Sequence, residues 1–422
     1  MTRTDTPRHA RRPASPFGDV KPAAAAAGVF AAVGVVWLVA GAWLPGDRWV
    51  AVHMFTLGVL TNVVIAFTRH FGDTLTRSDA DGSDRWILVT FNLAAVMVMV
   101  GVVIGRPVVV GVASTAATVA VLGNHRHLRR SRRGAIGARF AWIVRAYERA
   151  HGAFVHGAIL GGLLGAGVLT GAWYGSARLA HLHVNVLGWA GITLLATLVF
   201  FGPTMARTRI EPGADDRAAR MVRLGAHGVT IAALLLLASG FANGLGMLMR
   251  VLAAVALAVF ALAVTSTCRA VAGAVRGAKP GAARWPVVAV CAWFVVATWL
   301  DVAVVATGAW RLLDGVGLAM LVGVLVQAVA TSLAYVAPML VARTRGEREP
   351  LRLALERAAT GRAAVFNLGV VIVVVLALVG PRAATTGAIA ATLGWTLVVL
   401  ALAQPVAAVL VARAASHPEG HE

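Results

Sequence analysis

The feature that most constrains this chain is a succession of apolar blocks, each about 18 to 28 residues long, the length a helix needs to cross a hydrocarbon core of about 30 Å. They fall near residues 23–44, 50–68, 86–105, 107–123, 151–174, 180–204, 222–242, 247–267, 285–309, 313–341, 363–381 and 384–412. In lipid every backbone donor and acceptor must be satisfied within the structure, which leaves helices or a closed barrel. Barrel strands alternate apolar and polar residues, and these blocks do not. The expected fold is therefore all-α: a polytopic membrane helix bundle of about twelve transmembrane helices, forming one domain over residues 1–422. Charged residues make up 13% of the chain, against roughly 25% in soluble proteins. Residues 1–22 are polar and basic and the first apolar block is long enough to span, so no cleavable signal is expected.

A net charge of +20 would fit a nucleic-acid-binding protein, but its distribution follows the expected topology instead. Of 38 Lys and Arg residues, only Arg48, Arg106, Arg178, Arg250, Arg311 and Arg382 fall in the connections on one side. The rest gather on the other side, including the basic tail 1–22 and the short tail 413–422. The positive-inside rule then places both termini in the cytoplasm, with the chain in the cytoplasmic (inner) membrane. No nucleic acid is needed as a partner; the partner expected is the lipid bilayer. The richest connection, with Arg126, Arg129, Arg130, Arg132, Arg133, Arg139, Arg145 and Arg149, is expected to meet anionic headgroups, and His125 and His127 within it to be solvated. Cys268 and Cys291 are expected to remain reduced, without a disulfide or metal role.

The chain also matches itself. Arg48, His53, Leu57, Gly58, Phe71, Gly72, Thr74 and Arg77 recur 130 residues later as Arg178, His183, Leu187, Gly188, Phe201, Gly202, Thr204 and Arg207. A weaker third copy at a spacing of 135 pairs Gly188, Leu198 and Pro203 with Gly323, Leu333 and Pro338. Three pseudo-repeated four-helix units are expected, near 23–140, 141–275 and 276–412. Leu318 stands in the third unit where His53 and His183 stand in the first two.

Ionisable groups inside a span are costly and by default face the bundle interior. One candidate set is His53, His181 and His183, with Asn185 beside them. Imidazole suits copper, zinc and haem iron, and no thiolate competes nearby. His181 and His183 are about 200° apart around a helix, so they cannot share one metal on a regular helix, and His183 is preferred. A second, inner polar set is His156, His227 and Asp301, with His151 and His70 near it; Asp301 is the one acid deep in a span. Packing and interhelical hydrogen bonds are the competing role for each. Trp43, Trp49, Trp86, Trp173 and Trp310 at the span ends form an interfacial belt.

The helix count, the histidines in spans two and six, and the run from His181 to Trp189, HLHVNVLGW, together resemble the subunit I core of haem-copper oxidases. They are closer to its divergent bacterial relatives, the NnrS-type haem- and copper-containing membrane proteins, and to the membrane region that precedes some copper nitrite reductases. The resemblance is carried by His53–Arg77 and His181–Arg209. It implies a low-spin haem ligand at His53, a copper ligand at His183, and a redox partner protein if electrons pass. The chain departs from the family in span ten, 313–341, which contains no histidine, and in span six, where Leu187 stands in place of a tyrosine. In span seven His227 lies near the wrong end. An oxygen-reducing oxidase is therefore not expected, and no reaction is assigned. The resemblance implies copper or haem bound at an outer-leaflet site and a role in metal or nitrogen-oxide handling. The alternatives are a proton-coupled small-solute or ion transporter, with Asp301 and the inner histidines on its path, and a cofactor-free membrane scaffold.

Overall fold

The computed structural model describes residues 20–78, 85–135, 139–241, 245–342, 344–380 and 384–416. The basic tail through residue 19, Arg382 and the residues after 416 lie outside the described residues. Among the described residues there are thirteen helices and no strand. Eleven are long and apolar enough to span a membrane. Ten of these are α1 (Val20–Ala40), α2 (Arg48–Thr76), α3 (Arg85–Val103), α4 (Pro107–Arg133), α6 (Gly171–Met205), α7 (Ala214–Ala238), α8 (Leu245–Arg276), α9 (Arg284–Thr307), α10 (Trp310–Val341) and α12 (Ala359–Val379). The last lies within α13 (Ala384–Ser416). The other two helices are α5 (Ala141–Gly165) and α11 (Arg345–Glu356).

Three of the sequence expectations need adjustment. The fifth block, expected at 151–174, is α5, which begins at Ala141 and ends at Gly165. Its first turns carry Arg145, Glu148 and Arg149, so the apolar stretch marks only part of the helix. At its other end Gly167 adopts φ +69°, and Val168 N–H bonds to the Leu163 carbonyl at 3.0 Å, a stop that glycine makes without steric cost. Second, α4 continues ten residues past the expected end at 123, into the arginine-rich segment. Charge ended the apolar block there without ending the helix, because Asn124, His127 and Ser131 stay buried on one face at spacings of three and four. Third, α11 falls in what reads as a connection. It is amphipathic, with Leu351 and Leu355 buried and Arg352 reaching both Glu349 and Glu356 on its polar face. An Arg207–Glu356 pair at 3.1 Å ties it to the end of α6.

Helices α2, α6 and α10 share a departure from α-helical geometry. Each contains a π-helical stretch: Met54–Leu60, Val184–Gly191 and Ala319–Val326. The starting points are separated by 130 and then 135 residues, the same offsets at which the sequence matches itself. Within each stretch one glycine meets the helix that precedes it in the chain. A Cβ on Gly58 would fall 2.3 Å from Phe30 of α1, one on Gly188 2.9 Å from Ala153 of α5, and one on Gly323 2.8 Å from Trp293 of α9. Nearer the end of the bundle that gathers the arginine-rich connections, called here the basic face, the same three helices meet through aromatic rings. Phe71 of α2 lies 5.0 Å from Phe201 of α6, which lies 5.5 Å from Tyr335 of α10. At the opposite face Arg48 of α2 pairs with Asp314 of α10 at 2.8 Å, although both are largely exposed. Such an exposed pair contributes little to stability, so the packing of these rings and the close helix approaches matter more.

The aromatic residues expected at an interface are partly exposed, Trp43 at 83% and Trp86 at 47%. Cys268 of α8 and Cys291 of α9 are buried free thiols.

The glycine contacts generate a stability prediction. Gly58→Ala overlaps Phe30 and is expected to cost about 1–3 kcal/mol through overpacking, read as a lower thermal midpoint in detergent. Gly28→Ala on α1, where nothing lies within 4 Å of the added carbon, is expected to leave the midpoint unchanged or raise it slightly.

Candidate functional site

The polar residues of the opposite half are arranged along α6 and its neighbours. His181 and His183 start from adjacent turns but point to different helices, as a separation of about 200° requires. The His181 ring reaches α5, where its Nδ1 lies 2.8 Å from the Gly157 carbonyl. Glycines on α5 make this approach geometrically feasible. A Cβ on Gly161 would sit 2.7 Å from the His181 ring, and one on Gly157 2.3 Å from the Asn185 amide. Asn185 Nδ2 donates to the His181 carbonyl at 2.8 Å, which holds its amide beside the ring.

His53, on α2, places its Nδ1 2.8 Å from the Trp49 carbonyl and stacks on the Trp49 ring at a centroid distance of 4.0 Å. A carbonyl can only accept, so in both His53 and His181 the proton sits on Nδ1 and the Nε2 lone pair remains available. The two rings interact electrostatically with each other. His53 and His181 are thus alike in keeping Nε2 free, which the repeat counterpart His183 does not.

His183 is engaged at both nitrogens. Its Nδ1 donates to the Leu179 carbonyl at 2.7 Å, and its Nε2 lies 3.1 Å from Asp301 Oδ1 on α9. Both side chains are almost fully buried. Because Nδ1 is already a donor, one proton is shared between Nε2 and Oδ1, either as an acid donating to neutral imidazole or as imidazolium donating to carboxylate. The other oxygen, Asp301 Oδ2, has no hydrogen-bond partner among the described residues. The pair links α6 to α9 through groups that would be costly to bury separately.

The expected grouping of Asp301 with His156 and His227 is therefore corrected: Asp301 belongs with His183. His156 and His227 are both exposed, and the His156 Nδ1 bonds within its own helix to the Gly152 carbonyl at 2.8 Å. The reason is rotational. His151 faces inward, and five residues further along a helix is about 140° of turn, which takes His156 outward.

At the basic face a different network forms, one that the sequence reading had placed largely in solvent. His127 is buried and bonds to both oxygens of Asp73, at 2.9 and 3.1 Å, while Ser131 donates to Asp73 at 2.6 Å. His125 bonds to the Glu148 carbonyl at 3.1 Å. One turn deeper, Asn124 lies 2.6 Å from His151 Nε2, and the imidazole meets the Trp189 ring edge-on at 4.6 Å. The spacing of Asn124, His127 and Ser131 would have revealed this stripe had the helix been extended past the first arginines.

Among the described residues no group of three His, Cys, Asp or Glu is placed to hold a metal ion. No protein-family model matches the chain, and a search of curated proteins returns no significant match.

The His183–Asp301 pair is expected to respond differently to two substitutions. Asp301→Ala leaves the imidazole without its partner and should destabilise the protein by roughly 3–5 kcal/mol. Asp301→Asn keeps a donor for Nε2 and should lie much closer to wild type when thermal unfolding of the two variants is compared in the same detergent.

Proposed function

We propose that this is a multi-pass protein of the cytoplasmic membrane, built like a divergent haem-copper oxidase subunit I, that binds copper or haem through His53 and His181 and serves in metal or nitrogen-oxide handling. The positive-inside bias supports placing the basic face and both termini in the cytoplasm. Three four-helix units, each centred on one of α2, α6 and α10, account for the π-helical stretches at matching offsets and for the aromatic contacts between these helices.

The observation that carries the cofactor reading is the state of the two imidazoles. Ligating histidines characteristically donate their second ring nitrogen to a carbonyl or carboxylate, which fixes the tautomer and aims the free lone pair. His53 does so through Trp49 and His181 through Gly157. Two imidazoles suffice for a haem iron, whose remaining ligands come from the porphyrin, and imidazole is also a good copper ligand. A structural zinc site takes four protein ligands and a catalytic one three, which two histidines do not provide. His183 passes from ligand to support, since Asp301 occupies its Nε2 and the pair fixes α6 against α9.

An optical spectrum with metal analysis on the purified protein tests this reading. Wild type should show a Soret band or near-stoichiometric copper, lost in His53→Ala/His181→Ala and retained in Asp301→Asn. A colourless, metal-free wild type would sink the proposal. A second reading, a proton-coupled transporter, is favoured by one specific feature, the proton-sharing His183–Asp301 pair deep in the bundle. It predicts that Asp301→Asn abolishes pH-driven uptake in proteoliposomes while leaving the fold intact.

A further inference from the structure

Helix α4 continues past its apolar stretch as a firmly held projection. Trp86, half-exposed at the start of α3, presses on Gly123 of α4, where an added carbon would fall 2.7 Å from the indole. A tryptophan so placed at a span end marks the interfacial level. From there α4 runs ten more residues to Arg133, about 15 Å at 1.5 Å per residue. Its inner side is tied down: Asp73 bonds to His127 and Ser131, and Glu148 takes two bonds from Arg132, at 2.6 and 3.2 Å. Its outer side carries Arg126, Arg129, Arg130 and Arg133, all exposed, the last three at spacings of three, four and seven from the first. Among the described residues none of these four has a carboxylate within ion-pair distance, and the nearby acids Asp73 and Glu148 are engaged on the inner side. Like charges at spacings of three and four disfavour a helix. The helix dipole compensates in the last turn, at Arg130 and Arg133, and leaves Arg126 and Arg129 without that support.

We propose that this arginine row is a docking surface for an acidic helix of a soluble protein on the basic side of the membrane. Depth argues against lipid as the occupant. The headgroup layer adds about 5–8 Å to each side of the hydrocarbon core. Arg126, three residues past Gly123, lies at that level, Arg129 and Arg130 at its outer edge, and Arg133 beyond it. Shape selects a helix. The row is two turns long, about 10 Å, so carboxylates repeated at three, four and seven on a facing helix meet the four guanidinium groups one to one. Each planar fork takes a carboxylate through two parallel hydrogen bonds. A nucleic acid would be held by charge alone, without that register. The contacts behind the row hold it in place before a partner arrives, which lowers the ordering cost of binding.

The test is fluorescence anisotropy with the full chain in phosphatidylcholine nanodiscs at about 0.15 M salt. The probe is a labelled alanine-based helical peptide with glutamate at i, i+3, i+4 and i+7, and a second peptide of the same composition scatters those glutamates around the helix. Wild type should bind the patterned peptide at least about tenfold more tightly than the scattered one. Arg126→Gln/Arg129→Gln/Arg130→Gln/Arg133→Gln should lose that preference. The control Arg145→Gln/Arg217→Gln/Arg220→Gln/Arg223→Gln removes as many exposed charges and should change it by less than about twofold. Charge reversal guards against a folding defect: Arg126→Glu/Arg130→Glu/Arg133→Glu should bind the lysine version of the patterned peptide instead. Equal affinity for the two glutamate peptides, or equal loss in the control, would overturn the proposal. So would tighter binding of a single-stranded oligonucleotide of matching charge, which would make nucleic acid the partner. Displacement of the peptide on adding phosphatidylglycerol to the nanodisc would overturn it as well, with lipid as the occupant.

Discussion

Everything else in this bundle depends on how closely α2, α6 and α10 are approached by the helices that precede them. In lipid there is little hydrophobic drive between helices, since hydrocarbon tails are as apolar as leucine, so association relies on packing and on polar contacts. Gly58, Gly188 and Gly323 provide that packing by letting Phe30, Ala153 and Trp293 into space that a side chain would fill. The same device recurs on α5, where Gly157 and Gly161 admit Asn185 and His181. A polar pair can therefore sit between helices because small residues opposite leave room for it.

The polar groups then divide by depth. Towards the face with few charges, His53 and His181 keep one ring nitrogen free, whereas His183 and Asp301 satisfy one another. Towards the basic face, Asp73, His127, Ser131, Asn124 and His151 are joined in hydrogen bonds across α2, α4 and α5. Beside this second set the aromatic contacts of Phe71, Phe201 and Tyr335 join α2, α6 and α10. On the proposed reading, the first set holds the cofactor and the second anchors the helices beneath it.

The spans were legible in the sequence because lipid imposes a length and forbids charge: eleven of the twelve expected blocks fall on helices long and apolar enough to span, and the fifth, 151–174, overlaps α5 only in part. Helix ends were less legible wherever charged residues continued the helix beyond the apolar block, as at Arg145 in α5 and at Asn124 to Arg133 in α4. The amphipathic helix around Leu351 and Leu355 was missed for the same reason. The histidines could be named as candidates, but their partners could not. Asp301 is 118 residues from His183, and nothing local to either residue announces the pairing. The inward or outward aim of His156 depended on rotation about α5, which spacing alone fixes only once one reference residue, here His151, is known to be buried.

The π-helical stretches carry a consequence for the ancestry of the chain. A π turn holds one more residue than an α turn, so each stretch behaves as a small insertion that rotates whatever follows it along the helix. On the three-unit reading, an insertion acquired separately in one unit would have shifted that unit's register against the others and spoiled the ungapped match that runs from Arg48–Arg77 to Arg178–Arg207. The match is intact across Met54–Leu60 and Val184–Gly191. On that reading the irregularity belonged to the ancestral unit, and duplication copied a helix that had been bent to its task before there were several of them.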